Sequence, residues 1–162
     1  MTLTAKKKYL LLSLAVVLLD QLSKWMISTH LPLYGTREVL PGFFRLWHVR
    51  NPGAVWGILS SHPNGLVPKI ITILSILSLL LIVYYFLRIG AQCRLELVSF
   101  SFILGGAAGN IIDRLRLGYV VDFLDCSIKG RHWPTFNVAD SFISIGVAIL
   151  ILSLWRGKCT QF

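Results

Sequence analysis

The stretch Ile70 to Leu87 reads I-I-T-I-L-S-I-L-S-L-L-L-I-V-Y-Y-F-L and contains no charged residue. A bilayer's hydrocarbon core is about 30 Å thick and takes about 20 helical residues to cross. A run of this length without a charge is a transmembrane helix. Working outward, three more segments qualify, Tyr9 to Ile27, Leu95 to Ile112 and Val138 to Trp155. The sequence therefore predicts an all-α membrane bundle of four transmembrane helices. A long stretch, Thr29 to Lys69, separates the first two spans and holds Pro32, Pro41, Pro52, Pro63 and Pro68. Its centre, Val39 to Trp56, is rich in β-branched and aromatic residues. It reads as a small external β-rich segment, about 30–69, of short strands at the membrane surface.

Composition agrees. The chain has 162 residues, enough for one domain over 1–162. Hydrophobic residues make up 55% and charged residues 14%, well below the quarter or so of a soluble domain. The net charge of +9 could suit nucleic acid or an anionic membrane. The apolar runs decide for the membrane, and no nucleic-acid partner is expected. Cys93, Cys126 and Cys159 are too few and too scattered for a disulfide framework. His30, His48, His62 and His132 are far apart and no HExxH occurs, so no metal and no cofactor is expected. Lys6-Lys7-Lys8 before an apolar run looks like a signal peptide, but no small-x-small site follows, and the run continues into Asp20, Gln21 and Lys24. It reads as a retained first helix.

Four spans place both termini on one side. Lys6 to Lys8, Arg88, Arg94, Arg156 and Lys158 mark that side as cytoplasmic. Arg37, Arg45, Arg50, Lys69, Arg114, Arg116, Lys129 and Arg131 fall opposite, so the tight Arg88 to Arg94 connection carries the assignment. At 1.5 Å per residue, Asp140 lies about 24 Å from Arg156, and Asp113 about 28 Å from Arg94. Both acids then sit near the outer edge of the hydrocarbon. The loop between these helices brings Asp122 to the same level.

Carboxylates in a span are costly, roughly 2.5 to 3.5 kcal/mol on insertion scales, and usually serve function. Asp20 and Lys24, four apart on one helix face, can form a structural ion pair or support a site. Gly105 and Gly109 form a GxxxG that permits close helix approach. Asn110 and Asp113 follow, three apart on one face. Asn137 could cap the fourth helix with Asp140 three residues on. Asp122, framed by Val121 and Phe123, suits a partly apolar site, whereas Asp125 reads as solvent-facing. Two carboxylates in one site cannot both ionise easily. One can then activate water while the protonated partner polarises a carbonyl. Asp122 and Asp140 suit such peptide hydrolysis. Ser141 has no histidine placed as its base, and no Walker-type glycine loop is present. A proton pathway would string acids across the membrane, and these gather at one level. A non-catalytic assembly would use the acids only as caps and ion pairs.

Five ordered stretches then become specific: Asp20-Gln21-Leu22-Ser23-Lys24, Asn51-Pro52-Gly53-Ala54, Gly109-Asn110-Ile111-Ile112-Asp113-Arg114, Val120-Val121-Asp122-Phe123 and Phe136-Asn137-Val138-Ala139-Asp140-Ser141. Together they resemble the lipoprotein signal peptidase family, signal peptidase II, over nearly the whole chain. The resemblance implies an aspartyl endopeptidase of the bacterial cytoplasmic (inner) membrane. Such an enzyme removes signal peptides from diacylglyceryl-modified prolipoproteins, just before the lipidated cysteine. It implies Asp122 and Asp140 as the catalytic pair. It assigns substrate binding or support to Asn51, Gly53, Asn110, Asp113, Arg114, Asn137 and Ala139, with Asp20 and Lys24 further off. The partners implied are prolipoprotein substrates and membrane lipid, and the chain is expected to act as a monomer. The second stretch departs from the family's usual Asn-Thr-Gly-Ala-Ala-Phe, with Pro52 for Thr, Val55 for the second Ala and Trp56 for Phe.

Overall fold

The computed structural model describes residues 3–53, 65–157 and 159. A short 3-10 turn, Leu3–Lys6, leads into α1, Lys7–His30. Strands β1, Thr36–Leu40, and β2, Phe44–Asn51, follow. Then come α2, Leu66–Arg88, and α3, Arg94–Leu117. Strands β3, Val120–Ile128, and β4, Arg131–His132, precede α4, Val138–Trp155. All four helices are long and apolar enough to cross a membrane. Three extend past their apolar windows, because Lys7, Lys8 and His30 in α1, Lys69 and Arg88 in α2, and Arg94, Arg114 and Arg116 in α3 continue the helices where the hydrophobic signal stops. Ala54, Val55 and Trp56 lie outside the described residues.

Helix α3 is the centre of the bundle and packs against α1, α2 and α4. About two thirds of its most apolar window is buried, against 6% for that of α2. Small residues allow this. A Cβ on Gly105 would lie 2.6 Å from the Ser13 carbonyl oxygen of α1, and one on Gly106 would lie 2.5 Å from the Ala139 carbonyl oxygen of α4. The Gly105-to-Gly109 run thus serves close helix packing. The outward leucines of α1 and α2, among them Leu11, Leu18, Leu80 and Leu81, are exposed, as a lipid-facing surface requires. Gly118, at φ 79°, ends α3 in the left-handed conformation, its N–H bonding the Arg114 carbonyl.

The sheet corrects the expected layout. Its order is β1-β2-β3-β4, antiparallel throughout. Half of its strands come from the connection between α3 and α4, not from the segment near 30–69. Asp122 therefore stands on a strand rather than in a loop, opposite Val49 of β2. Lys129 and Gly130, both at positive φ, close the β3–β4 hairpin with two residues. Asp125 is not solvent-facing. It is 1% exposed, and its carboxylate takes Arg45 from β2 and the His132 Nδ1 from β4.

The far end of the bundle holds a second correction. Cys93 and Cys159 form a disulfide across 66 residues of sequence. It joins a cluster of Tyr9, Phe86, Ile89, Leu97, Phe100 and Leu104. Beside it, Lys6 Nζ donates to the Phe86 and Leu87 carbonyls at 2.7 and 2.8 Å, capping the last turn of α2.

Candidate active site

At the sheet end of the bundle, polar side chains from every helix but α2 converge on the start of α4. Asn137 is its N-cap, in extended conformation. Its side chain accepts from the Asp140 N–H at 3.0 Å, and its own N–H donates to Asp140 Oδ2 at 3.2 Å. The capping reading of this pair holds in full, yet it does not exhaust either residue. Asn137 Nδ2 also donates to Asp122 Oδ1 at 2.7 Å and to Asn110 Oδ1 at 3.1 Å. One fully buried residue thus bonds both carboxyl groups, Asp122 through its side-chain amide and Asp140 through its backbone N–H.

Each carboxyl has a second donor. Asn51 Nδ2, from the last residue of β2, reaches Asp122 Oδ2 at 2.9 Å. Asn110 Nδ2, from α3, reaches Asp140 Oδ1 at 2.8 Å. Gly53 N donates back to Asn51 Oδ1 at 2.8 Å and holds that amide in orientation. Gly53 sits at φ 95°, a conformation that strains any side chain, and a Cβ there would also push against Ile71 Cδ1 at 2.8 Å.

Beneath this pair lies a charged layer. Lys24 Nζ contacts Asp20 Oδ2 at 2.8 Å, Asp113 Oδ2 at 3.0 Å and Asn110 Oδ1 at 2.9 Å. The Asp20–Lys24 pair is therefore both an ion pair and a support. Asp20 Oδ1 accepts the Ala139 N–H at 2.9 Å, and Asp113 Oδ2 accepts the Val121 N–H at 3.1 Å. These two bonds tie α1 to the first turn of α4, and α3 to the residue before Asp122. A Cβ on Gly109 would lie 2.5 Å from Asp20 Oδ2, so glycine is what lets the carboxylate in. A buried charge must be paired and hydrogen-bonded to be tolerated, and Lys24 meets both conditions.

The electrostatics separate Asp122. Burial pushes its carboxyl up to about 6, and the nearby Asp140 charge pushes the same way. The donors Asn51 and Asn137, and the Lys24 cation, pull against that rise. Arg114 lies in the field of Asp140, Asp122 and Asp113. Its Nε is buried and, among the described residues, has no hydrogen-bond partner. Arg114, Asn110 and Asp140 open onto a groove of about 450 Å³ between α2, α3 and α4. Ile71, Leu74, Ser75 and Ser78 of α2 form its opposite wall.

Asp20, Lys24, Asn51, Gly53, Asn110, Asp113, Asp122, Asn137, Ala139 and Asp140 all belong to this one network, with Arg114 beside it. Gln21 was missed. Its Nε2 donates to Asp113 Oδ1 at 2.9 Å and to the Gly109 carbonyl at 3.1 Å. The signal was present, since a glutamine inside an apolar span needs a partner. Ser141 Oγ donates to the Asn137 carbonyl, an ordinary bond within a helix.

Comparison with known proteins places these features in context. The family model described as Signal peptidase (SPase) II matches residues 12–156. A lipoprotein signal peptidase from Syntrophotalea carbinolica is 43% identical over 147 residues, covering 91% of this chain and 90% of that protein. One from Staphylococcus aureus is 39% identical over 156 residues, covering 93% and 92%. A solved structure described as a bacterial membrane enzyme superposes with a TM-score of 0.81 at 35% identity, covering 96% of this chain and 94% of the other. A second, with the same description, reaches 0.80 at 37% identity, covering 91% and 92%.

Proposed function

The chain belongs to the signal peptidase II family, and on that premise we propose that it is an aspartyl endopeptidase using Asp122 and Asp140 to cut signal peptides from diacylglyceryl-modified prolipoproteins. The single observation carrying this reading is the bridge through Asn137, which bonds both carboxyl groups at the mouth of a groove within the bundle. Cleavage falls just before the lipidated cysteine. The enzyme sits in the bacterial cytoplasmic membrane, termini inward and the aspartates near the outer face. One chain carries the whole network, so a monomer suffices.

Asp122, whose carboxyl is raised toward 6, holds the proton that the pair shares. Asp140 is the ionised member, at a helix N-terminus where negative charge is favoured. The signal peptide's helix lies along the groove, against the serines and apolar residues of α2. Asp140 takes a proton from water, and the hydroxide attacks the scissile carbonyl carbon. Asp122 donates its hydrogen bond to the carbonyl oxygen as charge develops there. Asp140 returns its proton to the leaving amine as the C–N bond breaks. Arg114, with its unpartnered Nε, donates to a substrate carbonyl and holds the backbone at the cut. Asn51, Asn110 and Asn137 hold the carboxyls in place, while Asp20, Lys24 and Asp113 brace the backbone beneath them.

Lipid modification supplies the address. Each buried CH₂ contributes about 0.8 kcal/mol, so two acyl chains hold the cysteine at the interface, level with Asp140. A displacement of about 1 Å can cost around 10²-fold in rate. The test offers matched prolipoproteins, with and without diacylglyceryl, to the purified enzyme in one nanodisc preparation. The lipidated substrate should be cut at least about a hundredfold faster. Equal rates would remove the lipid from recognition and leave a general intramembrane aspartyl peptidase.

A further inference from the structure

Away from the groove, the sheet carries a second cavity, of about 710 Å³, at the β3–β4 hairpin. Phe43, Ile128 and Trp133 give it apolar walls, and Lys129, Arg131 and His132 give it a basic edge. It shares no residue with the groove at Asp140. Asp122 and Ile128 stand six positions apart on β3, about 20 Å along the strand.

Its charge is unbalanced. Asp125, the carboxylate behind it, is already committed to Arg45 and His132. Glu38 pairs across β1–β2 with Arg45 in the sheet register. Lys129 and Arg131 make no ion pair among the described residues. The apolar surface is equally uncovered. Ile128 is 67% exposed, Trp133 69% and Phe43 52%, and Leu40 of the neighbouring turn is also exposed. Such a patch standing in water would be a liability. Beside four membrane spans it has a natural cover, since tryptophan and basic residues together mark the bilayer interface. A basic edge above an apolar wall matches a ligand with an anionic head and an acyl tail.

We propose that this hairpin cavity binds an anionic phospholipid, its phosphate against Lys129 and Arg131 and its chains along Phe43, Ile128 and Trp133. Strand β3 runs unbroken from this anchor to Asp122. The bound lipid thereby fixes the outer end of the strand at the membrane surface, and with it the depth of Asp122.

The test uses the full chain purified in neutral detergent, with dihexanoyl phosphatidylglycerol and dihexanoyl phosphatidylcholine as probes and native mass spectrometry as the readout. The variant is Lys129→Gln/Arg131→Gln, two exposed positions outside the aspartate network. A basic residue near an anionic surface contributes about 1 kcal/mol, so losing two should weaken phosphatidylglycerol binding roughly thirtyfold. Phosphatidylcholine binding should not change. Prolipoprotein cleavage by the wild type should also be faster in nanodiscs containing phosphatidylglycerol than in phosphatidylcholine alone, and the variant should lose that difference. Equal affinity of the wild type for the two lipids would overturn the proposal. So would unchanged phosphatidylglycerol binding in the variant, including the case where it instead loses affinity for prolipoprotein, which would make the cavity a substrate subsite.

Discussion

Asn137→Ala removes three things at once, and each has a size. The N-cap acceptor for the Asp140 N–H is lost, which costs about 1 kcal/mol of stability. The donor to Asp122 Oδ1 is lost; a hydrogen bond to the protonated, neutral carboxyl contributes about 0.5 to 1.5 kcal/mol. The first turn of α4 is loosened, and a shift of about 1 Å in Asp140 costs around 10²-fold in rate. The Asp122 carboxyl also responds. The Asn137 donor favours the ionised form and so holds that carboxyl down. Without it, the value rises from about 6 by about one unit if the lost preference is about 1.4 kcal/mol. On the proposed mechanism cleavage needs Asp122 protonated, so wild-type kcat/KM should fall as pH rises above about 6. In Asn137→Ala that falling limb should move to higher pH, while its plateau drops about a hundredfold. Asn137→Ser separates the contributions. Serine can cap the helix and recover about 1 kcal/mol of stability, but its short hydroxyl is not expected to reach Asp122 and restore the rate. The assay is kcat/KM from pH 5 to 8 on both variants, with Tm measured alongside. A limb that stays in place or moves to lower pH, or a wild-type plateau, would refute the reasoning.

Asp125→Asn should lower Tm while leaving kcat nearly unchanged, because Asp125 ties β2 to β4 and touches neither carboxyl of the pair. The loss should be about 1 to 2 kcal/mol, discounted for the part-exposed Arg45 and His132; a collapse of kcat at unchanged Tm would contradict it. Asp20→Ala leaves Lys24 with Asp113 as its one carboxylate and frees the Ala139 N–H. The unsatisfied N–H should cost about 1 to 3 kcal/mol and lower activity through a displaced α4 start, whereas Asp20→Asn should recover part of both. Equal Tm for Asp20→Ala and wild type would show that the charged layer does not brace the fold.

The four spans were legible because lipid demands continuous apolar runs, and Ile70 to Leu87 has no other reading. Helix ends were less legible, since Lys7, His30 and Arg88 continue a helix after hydropathy stops reporting it. The β3 strand was hidden because its partner β2 lies some seventy residues earlier, as in Val49 opposite Asp122. Asp125 misled for the same reason, its cation Arg45 being 80 positions away. The Cys93–Cys159 bond was invisible to spacing, because only the return of α4 beside α3 brings the two together. The convergence of the candidate site was readable from polar residues placed at one depth. Its wiring was not, since nothing in Asn137 itself says that its side chain both caps a helix and reaches the Asp122 carboxyl while its backbone N–H holds that of Asp140.

The central claim is that Asp122 and Asp140 act as one unit on prolipoprotein. The direct measurement is single-turnover cleavage of a lipidated prolipoprotein in nanodiscs by Asp122→Asn, Asp140→Asn and the double variant, each matched to wild type for insertion and Tm. Each single variant should lose at least about 10⁴-fold in rate, and the double variant should be little worse, because members of a catalytic unit are strongly non-additive. Robust turnover by either single variant would contradict the account.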